Sequence, residues 1–452
     1  MNKTFATLAL SALSAALPLM SARPQETLVM GVGDSIGEAV QSADASSQTQ
    51  PYSYLNMLAY QLGVAFPLPL IDTTPFAWVG NTVLRSRIAP DTLGANLAVS
   101  GADVHSLLYE QANAASEAEI DSETDLVLFP RLGSQVEIVE EVRPLVTFCW
   151  IGNNDVLSSV LSFDQLDGSQ LTPVAEFEAD FHAITQRLGA ASTVVVFANI
   201  PDVTSIAFLA DREDLLRFLG SDYGLPAGDY TSIVAVFLVK LGLANGTIFQ
   251  DPDYVLDSSE VALIQQRIAD FNRIIEEAAA IIGMPVVDIN ALYDAIKAHP
   301  PTPYGVPLTT RFLGGLFSLD GVHPSDIGQA LVAIAFISKI NAYFGVRVPS
   351  ISSQNLTQIF LNDPFVDKDA DGRVAGRSDA GLLETLAPLL GVSGDTDDHL
   401  PNPPAARGDG ATFLARYLQV TGQHAAPWTQ ERMNAAFKEI FGLDGLIRKQ
   451  LP

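Results

Sequence analysis

The chain has 452 residues, 48% of them hydrophobic, enough to bury one large domain with additions or two or three ordinary domains, which argues against wholesale disorder. Its formal net charge of −27 repels phosphate backbones and anionic lipid surfaces, which argues against nucleic-acid binding and leaves solubility as the ordinary use of the acidity. The single cysteine, Cys149, excludes a disulfide within the chain and lies in the apolar run LVTFCWIG, where a thiol reads as a small core side chain.

In chain order, residues 1–22 place Lys3 before an apolar stretch and end on the small residues Ser21 and Ala22. This is the layout of a secretory signal peptide cut near Ala22, and it predicts a secreted or periplasmic protein. A retained anchor would need about 20 apolar residues, and Pro18 with the Ser and Thr residues interrupts this stretch. Apolar, β-branched runs at 27–32, 145–151, 193–200 and 284–289 predict buried parallel strands, and 94–99 is a weaker candidate. Helical patterns fall at 177–188, 258–282 and 326–343, the second with Ser259 and Glu260 at its start. Strands alternating with helices predict an α/β fold, a parallel sheet with helices on both faces.

Two regions break the alternation. Residues 201–257 form a long insertion containing YTSIVAVFLVKLGL, which fits either a packed helix or a lid. From about Val348 the chain is rich in Pro, Gly and Asp, with short helical patterns at 382–390, 411–420 and 431–441, so 25–346 reads as the main domain and 347–452 as a mostly helical extension. Within the extension, Asp367, Asp369, Asp371 and Gly372 match positions one, three, five and six of a calcium loop. Position twelve is Ser378 rather than an acid, with Asp379 one residue late, so a solvated acidic turn stands beside a structural calcium. Trp78, Trp150 and Trp428 read as core or cleft packing, with Trp150 beneath the active site.

The chemistry begins at Leu28–Val40, LVMGVGDSIGEAV. Gly33-Asp34-Ser35-Ile36-Gly37 fits the G-x-S-x-G elbow of α/β-hydrolases, the G-D-S-G of trypsin-like proteases and the G-D-S block of the SGNH/GDSL esterases. A serine nucleophile needs a base, and His105, His182, His299, His323, His399 and His424 all follow Ser35. The trypsin-like order requires the reverse. The elbow serine normally follows several strands, whereas Ser35 ends the first. In SLDGVHPSDIGQAL, Asp320 and His323 are three apart before a helix. On a tight turn that spacing lets the carboxylate accept the imidazole Nδ1–H and leaves Nε2 to face Ser35.

Four blocks in series then resemble an SGNH/GDSL hydrolase, in particular a longer secreted bacterial member: Gly33-Asp34-Ser35, Gly101 in NLAVSGADV, Gly152-Asn153-Asn154-Asp155, and Asp320 with His323 and Pro324. The resemblance covers about Leu28 to Phe344. NIPDVTSIAF, Asn199 to Phe208, extends it toward longer bacterial and plant-type members and would line one wall of the cleft; Ile36-Gly37 departs from the commoner form. It implies a three-layer α/β/α sandwich of about five mostly parallel strands, similar to the flavodoxin arrangement. It also implies an esterase or lipase acting through an acyl-enzyme, with Ser35, His323 and Asp320 as triad and no cofactor required. The oxyanion donors would be the backbone N–H groups of Ser35 and Gly101 and the side chain of Asn154, with Asn153 as scaffold. The expected substrate is a small-molecule or lipid ester, and the apolar insertion suits transient contact with a lipid surface. Acyl transfer by the same acyl-enzyme and sugar O-acetyl ester cleavage remain alternatives, as does a non-catalytic binding module built on the extension.

Overall fold

The computed structural model describes residues 27–79, 82–162, 166–377 and 387–401, and from 74 to 84 it describes backbone only, so the Trp78 side chain is not placed. The expected leader, the helical patterns at 411–420 and 431–441, the first half of that at 382–390, Trp428, Ser378 and Asp379 lie outside the described residues. The strands, in chain order, are β1 (Val29–Gly33), β2 (Ile71–Val79), β3 (Thr82–Arg87), β4 (Val146–Trp150), β5 (Val194–Ala198), β6 (Leu209–Ala210), β7 (Tyr230–Ser232), β8 (Val255–Leu256) and β9 (Val286–Val287).

The core sheet has the order β1-β4-β5-β9, and every neighbouring pair is parallel. All of β1 and β5 is buried, which is why these strands read as continuous apolar runs rather than alternating ones. Helices Tyr54–Leu62 and Asp326–Phe344 cover one face, where Phe336 packs on Phe148 and Tyr54 meets Trp150 edge-on. Helices Gln135–Val142, Val174–Ala191 and Ser258–Ile281 cover the other, with Phe177 stacked on Phe271 at 3.8 Å between ring centroids. Asp326–Phe344 is long and apolar enough to cross a membrane, yet Val332, Ala333, Phe336 and Ile337 are buried in the core.

The sheet has four strands rather than about five. Residues 94–99 do run beside β1: Gly31 N donates to Ala95 O at 2.9 Å, Leu97 N to Gly31 O at 2.8 Å and Val99 N to Gly33 O at 3.1 Å. They form one isolated bridge, Gly31↔Asn96, because the next rung would need Gly33 N to donate to Leu97 O, and Gly33 N instead donates to Gln135 Oε1 at 2.9 Å. The expected strand 284–289 shortens to β9 because Asp288 leaves the ladder to cap helix Ile289–Ala298. The long helix starts at Ser258 as expected, but its capping box is Asp257 with Glu260 rather than Ser259.

The insertion folds into the antiparallel sheet β6-β7-β8 with helices Arg212–Leu219 and Ile233–Lys240. Ile233, Ala235 and Val236 are buried, whereas Val234, Leu241 and Leu243 are exposed. After the main domain, helix Ser353–Asn362 packs on Asp326–Phe344, and the chain then runs back toward the sheet's active edge. There Arg377 donates to Gln41 Oε1 at 2.9 Å and pairs with Asp326 Oδ1 at 2.7 Å, while Gln41 Nε2 donates to that same Asp326 oxygen at 2.8 Å. The Arg377 guanidinium also lies over the Tyr52 and Phe365 rings. Its side chain is 11% exposed and that of Asp326 1%, so removing one partner strands a buried charge. Arg377→Ala is expected to destabilise the protein by about 3–5 kcal/mol, read as a lower denaturation midpoint with the denaturant slope unchanged.

Candidate active site

The nucleophile candidate sits where β1 stops. Asp34 caps the short helix Ser35–Glu38, its Oδ1 accepting from Ile36 N at 3.0 Å, and this turn brings Ser35 to the C-terminal edge of the sheet. Asp34 Oδ2 accepts from Asn153 Nδ2 at 2.8 Å, which ties the third block to the nucleophile turn. Burial pushes the Asp34 carboxyl up to about 6, with the Asn153 and Ile36 hydrogen bonds opposing the rise. Gly37 completes the apparent G-x-S-x-G for a packing reason: a Cβ there would lie 2.7 Å from Ala98 Cβ.

Across the site, the turn before helix Asp326–Phe344 carries the candidates for acid and base. His323 Nε2 lies 2.8 Å from Ser35 Oγ, and His323 Nδ1 lies 2.7 Å from Asp320 Oδ2. Asp320 Oδ1 accepts from the N–H groups of Val322 and His323, each at 2.8 Å, which locks the i,i+3 turn. Gly321 occupies the left-handed region at φ +72°, and a Cβ there would lie 2.5 Å from Phe208 N, so the insertion packs directly on this turn. Burial alone would raise the Asp320 carboxyl, but the His323 charge and these hydrogen bonds hold it below its ordinary value.

The oxyanion candidates flank this line. Gly101 adopts φ +80°, and a Cβ there would meet no atom within 4 Å, so its requirement is conformational rather than steric. Asn154 opens helix Asn154–Leu161 and donates through Nδ2 to Ala102 O at 2.8 Å, which ties the third block to the second. Ser100, on the other side of Gly101, donates through N and Oγ to Glu38 Oε2 at 2.7 and 2.5 Å. Trp150, paired in register with Gly33, is buried beneath the nucleophile turn.

Three contributors have no motif in the sequence. Ser42 and Ala43, at φ 53° and 63°, turn their N–H groups to Ser318 Oγ at 2.9 Å and Asp320 Oδ2 at 2.7 Å, joining the nucleophile's strand end to the acid–base turn. Gln135, buried at the start of its helix, accepts from Gly33 N and donates to Gly33 O, both at 2.9 Å. A local signal exists only for the helix start, the capping box Ser134 with Glu137.

Away from this site, Asp367, Asp369 and Asp371 place carboxylate oxygens within 4.8 Å of one another, a cluster that could hold a cation. Asp367 already accepts from Gly372 N at 2.9 Å, and Asp371 N donates to Asp367 and Asp369 at 3.2 Å. Back at the active edge, Gln135→Leu would leave the Gly33 N–H without its acceptor, at a cost of about 1–3 kcal/mol. The expected outcome is a lower unfolding midpoint with kcat reduced more than KM, since the Ser35 turn hangs on Gly33.

Among solved structures, the chain is similar to an acetylxylan esterase from Geobacillus stearothermophilus, at 15% identity and TM-score 0.33, covering 73% of this chain and 98% of that one. It is similar at 14% identity and TM-score 0.33 to a protein described as a GDSL-like lipase from Parabacteroides merdae, covering 72% of this chain and 98% of that one. An alpha/beta hydrolase enzyme from the metagenome of Lake Arreo, Spain, is similar at 14% identity and TM-score 0.33, again with 72% of this chain and 98% of that one covered. No curated protein matches the sequence. The family model for GDSL-like lipases and acylhydrolases matches residues 29–336, well over half of the chain and from β1 through the acid–base turn, so the chain belongs to that family of carboxylic ester hydrolases.

Proposed function

We propose that the protein cleaves carboxylic esters through an acyl-enzyme on Ser35. The observation that carries this reading is the unbroken line from Ser35 Oγ to His323 Nε2 at 2.8 Å and from His323 Nδ1 to Asp320 Oδ2 at 2.7 Å. In the tautomer that Asp320 selects, His323 Nδ1–H donates to the carboxylate and Nε2 accepts the Ser35 hydroxyl proton. Ser35 Oγ bonds to the ester carbon, and the carbonyl electron pair moves to the oxygen. The tetrahedral intermediate then expels the alcohol, which takes its proton from His323, and water releases the acid by the same steps in reverse.

The developing oxyanion is met by the N–H groups of Ser35 and Gly101 and by the Asn154 amide. Asn154 spends one of its two N–H bonds on Ala102 O, which holds the second in place for the substrate. Asp320 stays ionised and stabilises the imidazolium without taking its proton. The chemistry requires no metal, and a cation at Asp367, Asp369 and Asp371 would be structural. The four-stranded sheet with 94–99 running beside β1 supports the SGNH arrangement, with that segment in the place of a fifth strand. The leader pattern supports secretion, 25–346 the catalytic domain, and 347–452 the extension.

The acyl group and the alcohol are the finer part of the proposal. The exposed Val234, Leu241 and Leu243 on the insertion support esters with an apolar acyl chain and transient lipid contact. Activity falling from acetyl to longer acyl esters, or confined to acetylated sugars, would replace this substrate reading. Acylated product formed on an added alcohol acceptor would mark acyl transfer.

Ser35→Ala is expected to abolish hydrolysis of short p-nitrophenyl esters while leaving the circular dichroism spectrum and unfolding midpoint unchanged. Retained turnover in that variant would refute the nucleophile. Asp320→Asn is expected to lower kcat by on the order of 10⁴-fold, because the amide favours the wrong imidazole tautomer.

A further inference from the structure

Glu38 belongs to none of the four blocks, yet it is wholly buried, at 0% exposure, on the same turn as Ser35. Its Oε2 takes both donors of Ser100, the backbone N–H at 2.7 Å and the hydroxyl at 2.5 Å. Its Oε1 has no donor partner although it is sealed from solvent. A second carboxyl, Glu123, at the first position of helix Glu123–Leu128, faces it. Two carboxylates cannot hydrogen-bond, and two buried negative charges side by side are strongly unfavourable. One proton between them resolves both problems, because a neutral Glu38 donates from Oε1 to Glu123 and still accepts from Ser100 with Oε2.

We propose that Glu38 is a positioning residue that works as a neutral carboxylic acid, clamping Ser100 so that the next residue, Gly101, presents its N–H to the oxyanion. The clamp joins the nucleophile's own turn to the oxyanion loop, so that the two donors move as one body. The Asn154 contact to Ala102 O fixes the far side of Gly101. Burial and the facing Glu123 raise the Glu38 carboxyl well above its ordinary value, in keeping with the neutral form. The other charges around the pair are Asp44 and Arg85, joined at 2.8 Å beside Glu123, with Arg85 opposing and Asp44 favouring the rise of Glu123. Loss of the shared proton at alkaline pH would place two charges behind Ser100 and loosen the loop.

The inference rests on the proposed acyl-enzyme reading of the site, and the test separates the two. Glu38→Gln reproduces the neutral acid: its carbonyl oxygen accepts from Ser100 and its amide donates to Glu123. It is expected to keep most of the kcat, with its alkaline limb extending above that of the unmodified protein. Glu38→Ala is expected to lose kcat by on the order of 100-fold, the scale of one misplaced oxyanion donor, at nearly constant KM. Ser100→Ala removes the hydroxyl contact and keeps the N–H, and is expected to lower kcat less than Glu38→Ala; it tests the clamp even if Glu38→Ala fails to fold. Folded Glu38→Gln as inactive as Glu38→Ala would overturn the neutral acid, as would superimposable alkaline limbs. Unchanged kcat in both Glu38→Ala and Ser100→Ala would overturn the clamp. Turnover surviving Ser35→Ala would instead overturn the underlying catalytic assignment, whatever the Glu38 variants do.

Discussion

A buried carboxylate stays ionised only where donors replace the water it has lost, and Asp320 receives them from two distant parts of the chain. Val322 N, His323 N and His323 Nδ1 come from its own turn, and Ala43 N comes from beyond the Ser35 helix. The contact from Ala43 carries a consequence the local turn could not supply. It brings the end of β1 and the entrance of helix Asp326–Phe344 to a common anion, which sets the separation of Ser35 from His323. The left-handed conformations of Ser42 and Ala43 are the backbone cost of that reach, on the order of 1–3 kcal/mol for each residue so held.

Three carboxyl groups around the site are shifted differently by their surroundings, Asp34 and Glu38 upward and Asp320 downward. Asp320 is held ionised by donors and by the imidazole. Asp34, capping the nucleophile helix with one backbone and one side-chain donor, is raised to about 6 because burial outweighs them. Glu38 has donors on one oxygen and an acid facing the other, and burial with a like charge raises its carboxyl well above the ordinary value. For Asp34 the linkage sign follows from its direction. The folded protein binds this proton more tightly than the unfolded chain, so its contribution to stability falls as pH rises from about 4 through about 6.

Much of the proposed site was legible because the chemistry proposed for it imposes local patterns. Asp320 and His323 must share a turn, Ser35 must follow a strand, and Asn154 must open a helix, so each leaves a short signature in the sequence. The core strands were legible for a related reason, since a strand buried on both faces needs an unbroken apolar run. What escaped was held by contacts between distant side chains and backbone. Gln135 bonds to Gly33 across 102 positions, and nothing near Gln135 distinguishes it from another helix-opening glutamine. Glu38 looks like a solvated acid at a helix end, and only the fold shows Ser100 and Glu123 waiting for it. Residues 94–99 have strand composition, but Gly33 N, which the next rung needs, is taken by the distant Gln135 and the ladder fails to extend.

The additions to the core meet the site on one side. The insertion reaches the acid–base turn through Phe208 N, which donates to Gly321 O at 2.8 Å, and the extension reaches its helix through Arg377 and Asp326. On the nucleophile side, Ser35 is held by Gly33, Gln135, Asp34 and Asn153, all within the main domain. This asymmetry follows from what each half must do. The proposed nucleophile and oxyanion donors would need one fixed geometry for any ester, and rigid sheet and helix ends hold them. The imidazole proposed as the base would face the alcohol as it leaves, and the insertion and the extension brace its turn. Arg377 also donates to Gln41, two residues before Ala43, so the extension touches a segment that joins the two halves. A change in the extension can therefore shift the distance between base and nucleophile without altering any residue that touches the substrate.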